Sequence, residues 1–314
     1  MLEINVKISS LKTLFHNQLA PLYEEKEIEV IFFIYLEEKC NVKKYQYSLN
    51  PAYEVAFDLL DLEMLANGCP IQYVTGKTTF YNVKLSVNQT VLIPRQETEE
   101  LVSMILEKEK SRRAEKQKSR RAEKQKSRSG VNSYGLTDLR SYGLTKILEI
   151  GTGSGAIAIA LAKNIENATV WATDISEDAL ETARQNAIAN HVDIHFLHHD
   201  ILKDEVVLLP DDVDIIVSNP PYIPNNERAT LHKNVTDYEP HSALFVPDNQ
   251  PLLFYSAIAG IAKKILRSGG VLYFETYEKF HLELSVLLAE NDFKEIELWN
   301  DISGKPRFVR CKKL

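Results

Sequence analysis

Long apolar runs are missing from this 314-residue chain. No stretch approaches the roughly 18 residues that a membrane-spanning helix needs, and Met1 to Ser10 has neither a basic start nor an apolar core of leader length. A cytoplasmic protein without a membrane partner is therefore expected. Cysteine is scarce: Cys40, Cys69 and Cys311 stand far apart, without the paired spacing of zinc or redox centres. They read as reduced structural thiols, and no metal site is expected. A surplus of positive charge is also lacking, with 37 Lys and Arg against 44 Asp and Glu. The net charge of −7 argues against tight, sequence-independent binding to nucleic acid, which relies on basic side chains neutralising phosphates. It suits a basic protein partner.

What is present is an ordinary globular composition, 44% hydrophobic and 26% charged, with length for one large domain and a smaller one. The charge is unevenly spread. Residues 108–128 carry 11 Lys and Arg against 3 Glu, a local +8 that leaves −15 for the remainder. In that tract the octamer KSRRAEKQ occurs twice in tandem and begins a third time; SYGLT then occurs twice, again eight residues apart. A period of eight fits neither solenoid repeats nor the heptad, so a local duplication of coding sequence is the simplest cause. A tract so rich in charge and poor in apolar residues predicts a solvated helix extension or a disordered loop. It reads as a tolerated surface insertion or as a contact for nucleic acid or ribosome.

From Ser10 to about Asn67, apolar residues recur at three- and four-residue intervals (Leu11, Leu14, Phe15, Leu19; Val30, Ile31, Ile34, Leu36; Val55, Leu59, Leu60, Leu65), the spacing of short amphipathic helices. Asn50-Pro51 and Asn67-Gly68-Cys69-Pro70 interrupt the pattern as turns. Phe80 to Ile93 alternates apolar and polar residues around Asn88-Gln89, a hairpin signal. After Thr145, strands are expected at 146–150, 169–173, 194–198, 213–218, 270–275, 294–299 and 307–312, with helices between most of them. The first five are apolar enough for a parallel sheet covered on both faces; the last two suggest a closing hairpin and a mixed sheet. The expected architecture is α/β. A helical domain spans 1–76, a β-hairpin and linker 77–100, and a Rossmann-like domain with a seven-stranded mixed sheet 101–314, carrying the basic insertion at 107–145.

Lys146 to Ile150 reads as a strand, Gly151-Thr152-Gly153-Ser154-Gly155 as a turn and Ala156 to Lys163 as a helix. Glycines let the chain turn sharply and let a ligand approach the backbone beside a helix N-terminus. With Ala156 the turn also fits a dinucleotide fingerprint. Three neighbouring carboxylates favour S-adenosylmethionine over NAD. Glu149 precedes the turn, where it can hold a cationic ligand end. Asp174 ends the second strand, where it can take both ribose hydroxyls. Asp200, after His199, ends the third, where it can accept from the adenine amine, with Ile201 lining the adenine face. Each has a structural alternative: Asp174 can cap the helix beginning near Ser176, and Ile201 can be core.

The fourth strand runs into Asn219-Pro220-Pro221-Tyr222. Two prolines end a strand efficiently, but termination requires neither the Asn before them nor the Tyr after. A planar amide or aniline-like nitrogen is a poor nucleophile because its lone pair is delocalised. The Asn219 side-chain oxygen and the Pro220 carbonyl can each accept one of its N–H bonds, favouring a pyramidal nitrogen whose lone pair faces a methylsulfonium. Proline offers no competing N–H, and Tyr222 can pack its ring on the flat group.

On these residues the chain resembles the release-factor glutamine N5-methyltransferases, the PrmC/HemK family. The shared segments are Pro70-Ile71-Gln72-Tyr73-Val74-Thr75-Gly76, Val91-Leu92-Ile93-Pro94-Arg95 with Glu97-Thr98-Glu99, the Gly-rich turn, Asn219 to Pro224, and Glu239-Pro240 with Ala243-Leu244. The tetrapeptide alone is shared with adenine-N6 methyltransferases of DNA and RNA; the segment from Ile93 to Glu99 narrows the family. The resemblance implies a class I methyltransferase fold, with Gly151 to Gly155, Asp174, Ile201 and Asn219 contacting S-adenosylmethionine. Asn219 to Tyr222 would hold the glutamine of a release factor's Gly-Gly-Gln loop, and the N-terminal helices would help bind that factor. Arg95 and Glu97 either touch substrate or hold their loop to the catalytic domain. Gln96 where the family usually has proline, Phe274-Glu275-Thr276-Tyr277 in place of Glu-Ile-Gly, and the long 107–145 segment depart from the pattern without removing a reacting group. Three other readings remain open at this point: adenine-N6 methylation of nucleic acid, glutamine methylation of a ribosomal protein, and a cofactor-binding regulator without turnover.

Overall fold

A computed structural model describes residues 3–128, 144–203 and 209–314. They form two compact units, one of Met1–Thr78, Ser86–Ile93 and Glu227–His241, the other of Thr79–Leu85, Pro94–Asn226 and Ser242–Leu314.

The first unit contains β1 (Glu3–Lys7), α1 (Ile8–Leu19), α2 (Glu25–Cys40), α3 (Lys44–Leu49), β2 (Glu54–Asp58), α4 (Leu59–Ala66) and α5 (Ile71–Thr75). Helix α1 buries Ile8, Leu11, Phe15 and Leu19, one stripe at helical spacing. The Phe15 ring sits 5.5 Å from Phe32, 5.2 Å from Tyr35 and 6.1 Å from Phe57, so one aromatic side chain ties α1 to α2 and β2. Acidic Glu25 and Glu27 open α2, and Asn41 closes it in the left-handed region at φ 53°. The expectation of a wholly helical unit is corrected here, because β1 and β2 pair antiparallel with Val6 opposite Val55. Alternation of Ile4 and Val6 with Glu3, Asn5 and Lys7 is the signal for that strand. Val30, Leu59 and Leu60, expected inside, are exposed, while Ile28 and Phe32 take the inner face of α2. From far along the chain, Tyr238 joins this unit by donating its hydroxyl to the Asn67 carbonyl at 3.0 Å.

A hairpin of β3 (Lys77–Phe80) and β4 (Val83–Ser86) follows. Its turn is Tyr81-Asn82, with φ 46° and 61°, rather than the expected Asn88-Gln89. Two consecutive positive φ values are the type I′ turn that matches strand twist, and Asn supplies one of them readily. Asn88 instead accepts from the Thr90 amide in a later turn.

Helix α6 (Gln96–Arg128) buries Leu101, Val102 and Ile105 and runs for about 50 Å at 1.5 Å per residue. The basic tract is therefore helical, but its first copy is not merely solvated. Buried Glu109 accepts from the Arg112 guanidinium at 2.6 and 2.7 Å and from Arg113 at 3.0 Å. Arg113 also donates to the Glu166 carbonyl. Burial pushes the Glu109 carboxyl up, but the two guanidiniums outweigh it and hold the group below its ordinary range. Most of the SYGLT duplication falls outside the described residues.

The remaining elements are β5 (Thr145–Ile150), α7 (Ala156–Asn164), β6 (Ala168–Asp174), α8 (Glu177–Ala189), β7 (Ile194–His198), β8 (Val213–Ser218), β9 (Ile223–Pro224), α9 (Lys233–Tyr238), β10 (Phe245–Val246), α10 (Leu253–Ile265), β11 (Leu266–Glu275), α11 (His281–Glu290), β12 (Lys294–Asn300) and β13 (Pro306–Lys312). Seven strands form one sheet in the order β12-β13-β11-β8-β5-β6-β7. Neighbours are parallel from β11 to β7, and β13 runs antiparallel between β11 and β12. This is the Rossmann-like class I methyltransferase sheet. Adjacent residues of its central strands point into separate cores: Ile147, Ile215 and Val217 pack with α6 and α7, and Leu148, Ile150 and Ile216 with α10 and α11. Burial on both faces explains why these strands read as unbroken apolar runs. Strand order reverses beside β5, which lies between β6 and β8, the place where open α/β sheets bind ligands.

Gly155 is the close approach between α7 and α8. At φ 82°, a Cβ there would lie 3.1 Å from Ile159 Cδ1 and 3.2 Å from Ala183 Cβ. Gly155→Ala is expected to lower stability by about 1–3 kcal/mol, combining backbone strain with overpacking. A urea midpoint equal to that of the wild type would contradict this packing.

Candidate active site

The Gly-rich turn leaves β5 and the Asn-Pro-Pro-Tyr segment leaves β8. Because Ile150 pairs with Ser218, Gly151 and Asn219 emerge side by side. The Ser218 hydroxyl donates to the Ile150 carbonyl at 2.6 Å and fixes that spacing. Ile150 also pairs with Thr173, which brings Asp174 to the same edge, and Asp174 pairs with His198, ahead of His199 and Asp200. Every carboxyl-terminal position singled out in the sequence thus converges on one end of the sheet.

The turn is braced from within. The Thr173 carbonyl accepts from the amides of Gly151 and Thr152, each at 2.9 Å. Asp174 accepts from the Gly153 amide at 2.8 Å through one oxygen and from the Ser176 amide at 3.0 Å through the other. Ser176, not Asp174, caps α8, accepting from the Ala179 amide. Glu149, 1% exposed, accepts from the Thr152 hydroxyl at 2.6 Å and from the Ala158 amide at 2.9 Å, so it secures the turn to the first turn of α7. Asn186 on α8 donates to the Ser154 carbonyl at 2.9 Å. No sequence signal singled out that brace.

These bonds bear on which ligand fits. A pyrophosphate at a helix N-terminus needs free amides, yet two carboxylates already occupy the amides of Gly153 and Ala158. With those amides taken, few donors remain for an anion, and carboxyl acceptors beside the turn suit a ligand with a cationic, hydrogen-bond-donating end. A Cβ placed on Gly151 (φ 76°) or Gly153 (φ 54°) would meet nothing within 4 Å, so the backbone at both positions opens onto space. With backbone bonds from Gly153, Ser176 and Ile175, Asp174 keeps acceptor capacity for a ligand hydroxyl. Asp200 uses one oxygen for the Leu202 amide at 3.0 Å and lies 3.6 Å from Lys203; Ile201 packs half-buried on the core beneath. The residues fit S-adenosylmethionine better than NAD.

Around the tetrapeptide, Pro220 is buried and Asn219, Pro221 and Tyr222 are half-buried. The Tyr222 ring stacks on Tyr277 at 5.8 Å and 13°. Asn219 Nδ2 donates to the Thr98 hydroxyl at 3.3 Å, Thr98 donates to Glu275 Oε2 at 2.7 Å, and the Tyr222 hydroxyl donates to Glu275 Oε1 at 3.5 Å. The sequence pattern assigns Thr98 no role, and Glu275 and Tyr277 stand in it only as part of a departure from the family. Burial pushes the Glu275 carboxyl up to about 7, opposed by the Thr98 hydrogen bond and Arg307. Burial, then the charge of Glu275, also pushes the Tyr222 hydroxyl up, so it stays a donor; Arg95 pulls it down and Glu97 pushes it up. That places Arg95 and Glu97 within electrostatic reach of Tyr222.

A family profile described as the methyltransferase small domain matches residues 136–237, which include the Gly-rich turn and the tetrapeptide. The release factor glutamine methyltransferase of Flavobacterium psychrophilum is 41% identical over 96% of this chain and 98% of its own length. This chain belongs to the release factor glutamine methyltransferase family. Family members from Bacteroides thetaiotaomicron (36% identical, 78% of this chain and 76% of theirs) and Lactococcus lactis (39%, 77% of each) align over shorter spans. The near end-to-end match with the Flavobacterium protein takes in both the segment holding Thr98 and the strand ending at Glu275.

Burial pushes the Glu149 carboxyl up to about 8, against its bonds to Thr152 and Ala158. Because this folded value lies above the unfolded one near 4.5, the folded state holds the proton more tightly. The associated stability is complete below pH 4.5 and is lost as pH rises through 8, with Glu275 adding a loss up to about 7. The ligand-free protein should therefore melt at lower temperature at pH 8.5 than at pH 5.5. The loss should be on the order of 3–5 kcal/mol, and Glu149→Gln should flatten much of it. Parallel melting curves for both proteins across that range would contradict the assignment.

Proposed function

We propose that this protein transfers a methyl group from S-adenosylmethionine to the side-chain amide nitrogen, N5, of the glutamine in the Gly-Gly-Gln motif of a peptide-chain release factor, in support of translation termination. The observation that carries the reading is the pairing of Ile150 with Ser218, which sets the planar-nitrogen acceptors of Asn219 and Pro220 directly beside a turn suited to a cationic ligand. When bound, S-adenosylmethionine supplies an electrophilic methyl group. Gly151, Thr152, Gly153, Ser154 and Gly155 would form its cradle, with Asp174 at the ribose, Asp200 and Ile201 at the adenine, and Glu149 bracing the turn beneath.

The chain's own residues do the rest by placement. The Asn219 side-chain oxygen and the Pro220 carbonyl each accept an N–H of the glutamine amide, drawing its lone pair out of conjugation and aiming it. Tyr222, backed by Tyr277, presents a ring face to the amide plane. The nitrogen becomes strongly acidic once alkylated, so its proton can leave through the same two acceptors or water, and no strong base is required. The helical first unit is proposed to bind the release factor. The chain outside the basic tract carries a net −15 over both units, in keeping with a basic protein partner. Adenine-N6 methylation is not favoured: relatives covering nearly the whole chain are named for glutamine methylation, and no basic target-reading region appears outside the repeat tract.

Incubation with labelled S-adenosylmethionine and a purified release factor should label that factor but not its Gly-Gly-Gln→Gly-Gly-Ala variant, nor unmethylated DNA or ribosomal protein. Label on DNA, or equal label on both factor forms, would refute the reading. Asn219→Ala should abolish turnover while keeping S-adenosylmethionine affinity within about tenfold, roughly 1.4 kcal/mol. Near-normal turnover in that variant would exclude the acceptor role.

A further inference from the structure

The side-chain amide of Asn219 is nearly isosteric about its long axis, so packing alone does not choose which end faces a substrate. The choice matters. With its oxygen outward, Asn219 accepts an N–H; with its nitrogen outward, it opposes donor to donor. We propose that Thr98 and Glu275 form a polarity relay that sets this choice and are positioning residues for methyl transfer; the inference rests on the amide-acceptor reading of Asn219 given above.

The argument follows from counting hydrogens. A threonine hydroxyl has one hydrogen to donate. At 2.7 Å from Glu275 Oε2 that hydrogen is committed to the carboxylate, a short, charge-assisted bond. The Thr98 oxygen is then left only with acceptor capacity, and its neighbour Asn219 at 3.3 Å must offer Nδ2. The Asn219 oxygen is turned away from Thr98. Thr98 is 4% and Glu275 1% exposed, and Asn219 is half-buried, so water does not easily replace the bond between Thr98 and Glu275. The geometry draws on three elements distant in sequence: the first turn of α6, the loop after β8 and the end of β11. Parallel pairing of Phe274 with Ser218 sets Glu275 opposite Asn219. The Tyr255 hydroxyl holds the Glu275 carbonyl at 3.0 Å. Through its other oxygen Glu275 also receives the Tyr222 hydroxyl, so one carboxylate orients both side chains that flank the two prolines.

The relay requires Glu275 to act as acceptor. A protonated carboxyl can donate to Thr98, whose own hydrogen is then free to turn to Asn219 and admit the flipped amide. The groups facing Glu275 are Arg307 from β13, Glu97 from α6, Tyr222 after β8 and Tyr255 from α10. Of these Arg307 favours the carboxylate and Glu97 opposes it.

The test compares Thr98→Val, which removes the hydroxyl at constant shape, with Thr98→Ser, which retains it, and with Glu275→Gln, whose amide oxygen remains an acceptor that does not titrate. For methylation of a release factor, Thr98→Val should lower kcat at least about tenfold, with KM for the factor and Kd for S-adenosylmethionine within about threefold. Thr98→Ser should restore at least about a third of the lost kcat. Wild-type kcat should rise between pH 6 and 8, and Glu275→Gln should not show that rise. Equal impairment of the Val and Ser variants, or a Val variant with wild-type kcat, would overturn the relay. A second measurement is independent of turnover: the Asn219 side-chain NH2 resonances, identified by their loss in Asn219→Asp, should shift in Thr98→Val and stay in place in Thr98→Ser. Unshifted resonances in the Val variant would overturn the relay even if no release factor were methylated, whereas an inactive wild type with the expected shifts would refute only the substrate assignment.

Discussion

Parallel pairing of β5 with β8 is the constraint on which the rest of the site depends. The second and third strands of the succession, β6 and β7, extend the sheet on one side of β5; the chain then crosses back and lays the fourth, β8, against the other edge of β5. Two loops separated by more than sixty residues then leave the sheet as neighbours, one rich in glycine and one stiffened by proline. Their chemistry is complementary. On the proposed reading, the glycine turn makes room for the methyl donor and the proline segment presents a carbonyl oxygen to the acceptor nitrogen.

Buried carboxylates hold this arrangement together. Glu149 fastens the Gly-rich turn to α7, Asp174 fastens it to the start of α8, Glu275 orients the tetrapeptide through Thr98 and Tyr222, and Glu109 gathers Arg112 and Arg113 where α6 leaves the body. Desolvating a carboxylate is costly, and each of these recovers part of the cost through directed hydrogen bonds. Of these four, Glu109 accepts hydrogen bonds from two guanidiniums and ends below its ordinary range; the three at the site end above theirs, Glu275 despite Arg307 nearby. At Glu149, Asp174 and Glu275 burial outweighs the hydrogen bonds, and elevated proton affinity is the consequence.

Much of the fold was legible residue by residue. The seven strands of the main sheet follow from short apolar runs, and the glycine and proline punctuation located both halves of the site. The misses have local causes. The first strand is five residues long, and its partner lies some fifty residues on, within a region read as helical. The hairpin turn was sought at Asn88-Gln89 because polar residues break the alternation there, whereas the actual turn uses Tyr81, a residue seldom found at positive φ. Composition predicts a solvated helix extension or disordered loop for the basic tract because it does not distinguish Arg112 and Arg113, which grip a buried Glu109, from the other basic residues.

The sequence by itself determined the chemistry available: glycines where backbone must open, an Asn-Pro-Pro-Tyr segment able to accept from a planar nitrogen, and carboxylates at strand ends. Those properties reside in single residues and their immediate neighbours. Only the tertiary structure decided that Asp174 takes the Gly153 amide and Glu149 the Ala158 amide, and that Thr98 stands between Asn219 and Glu275. Hydrogen-bond direction depends on which groups meet across 121 and 177 residues of chain, and strand register, not local pattern, brings them within reach.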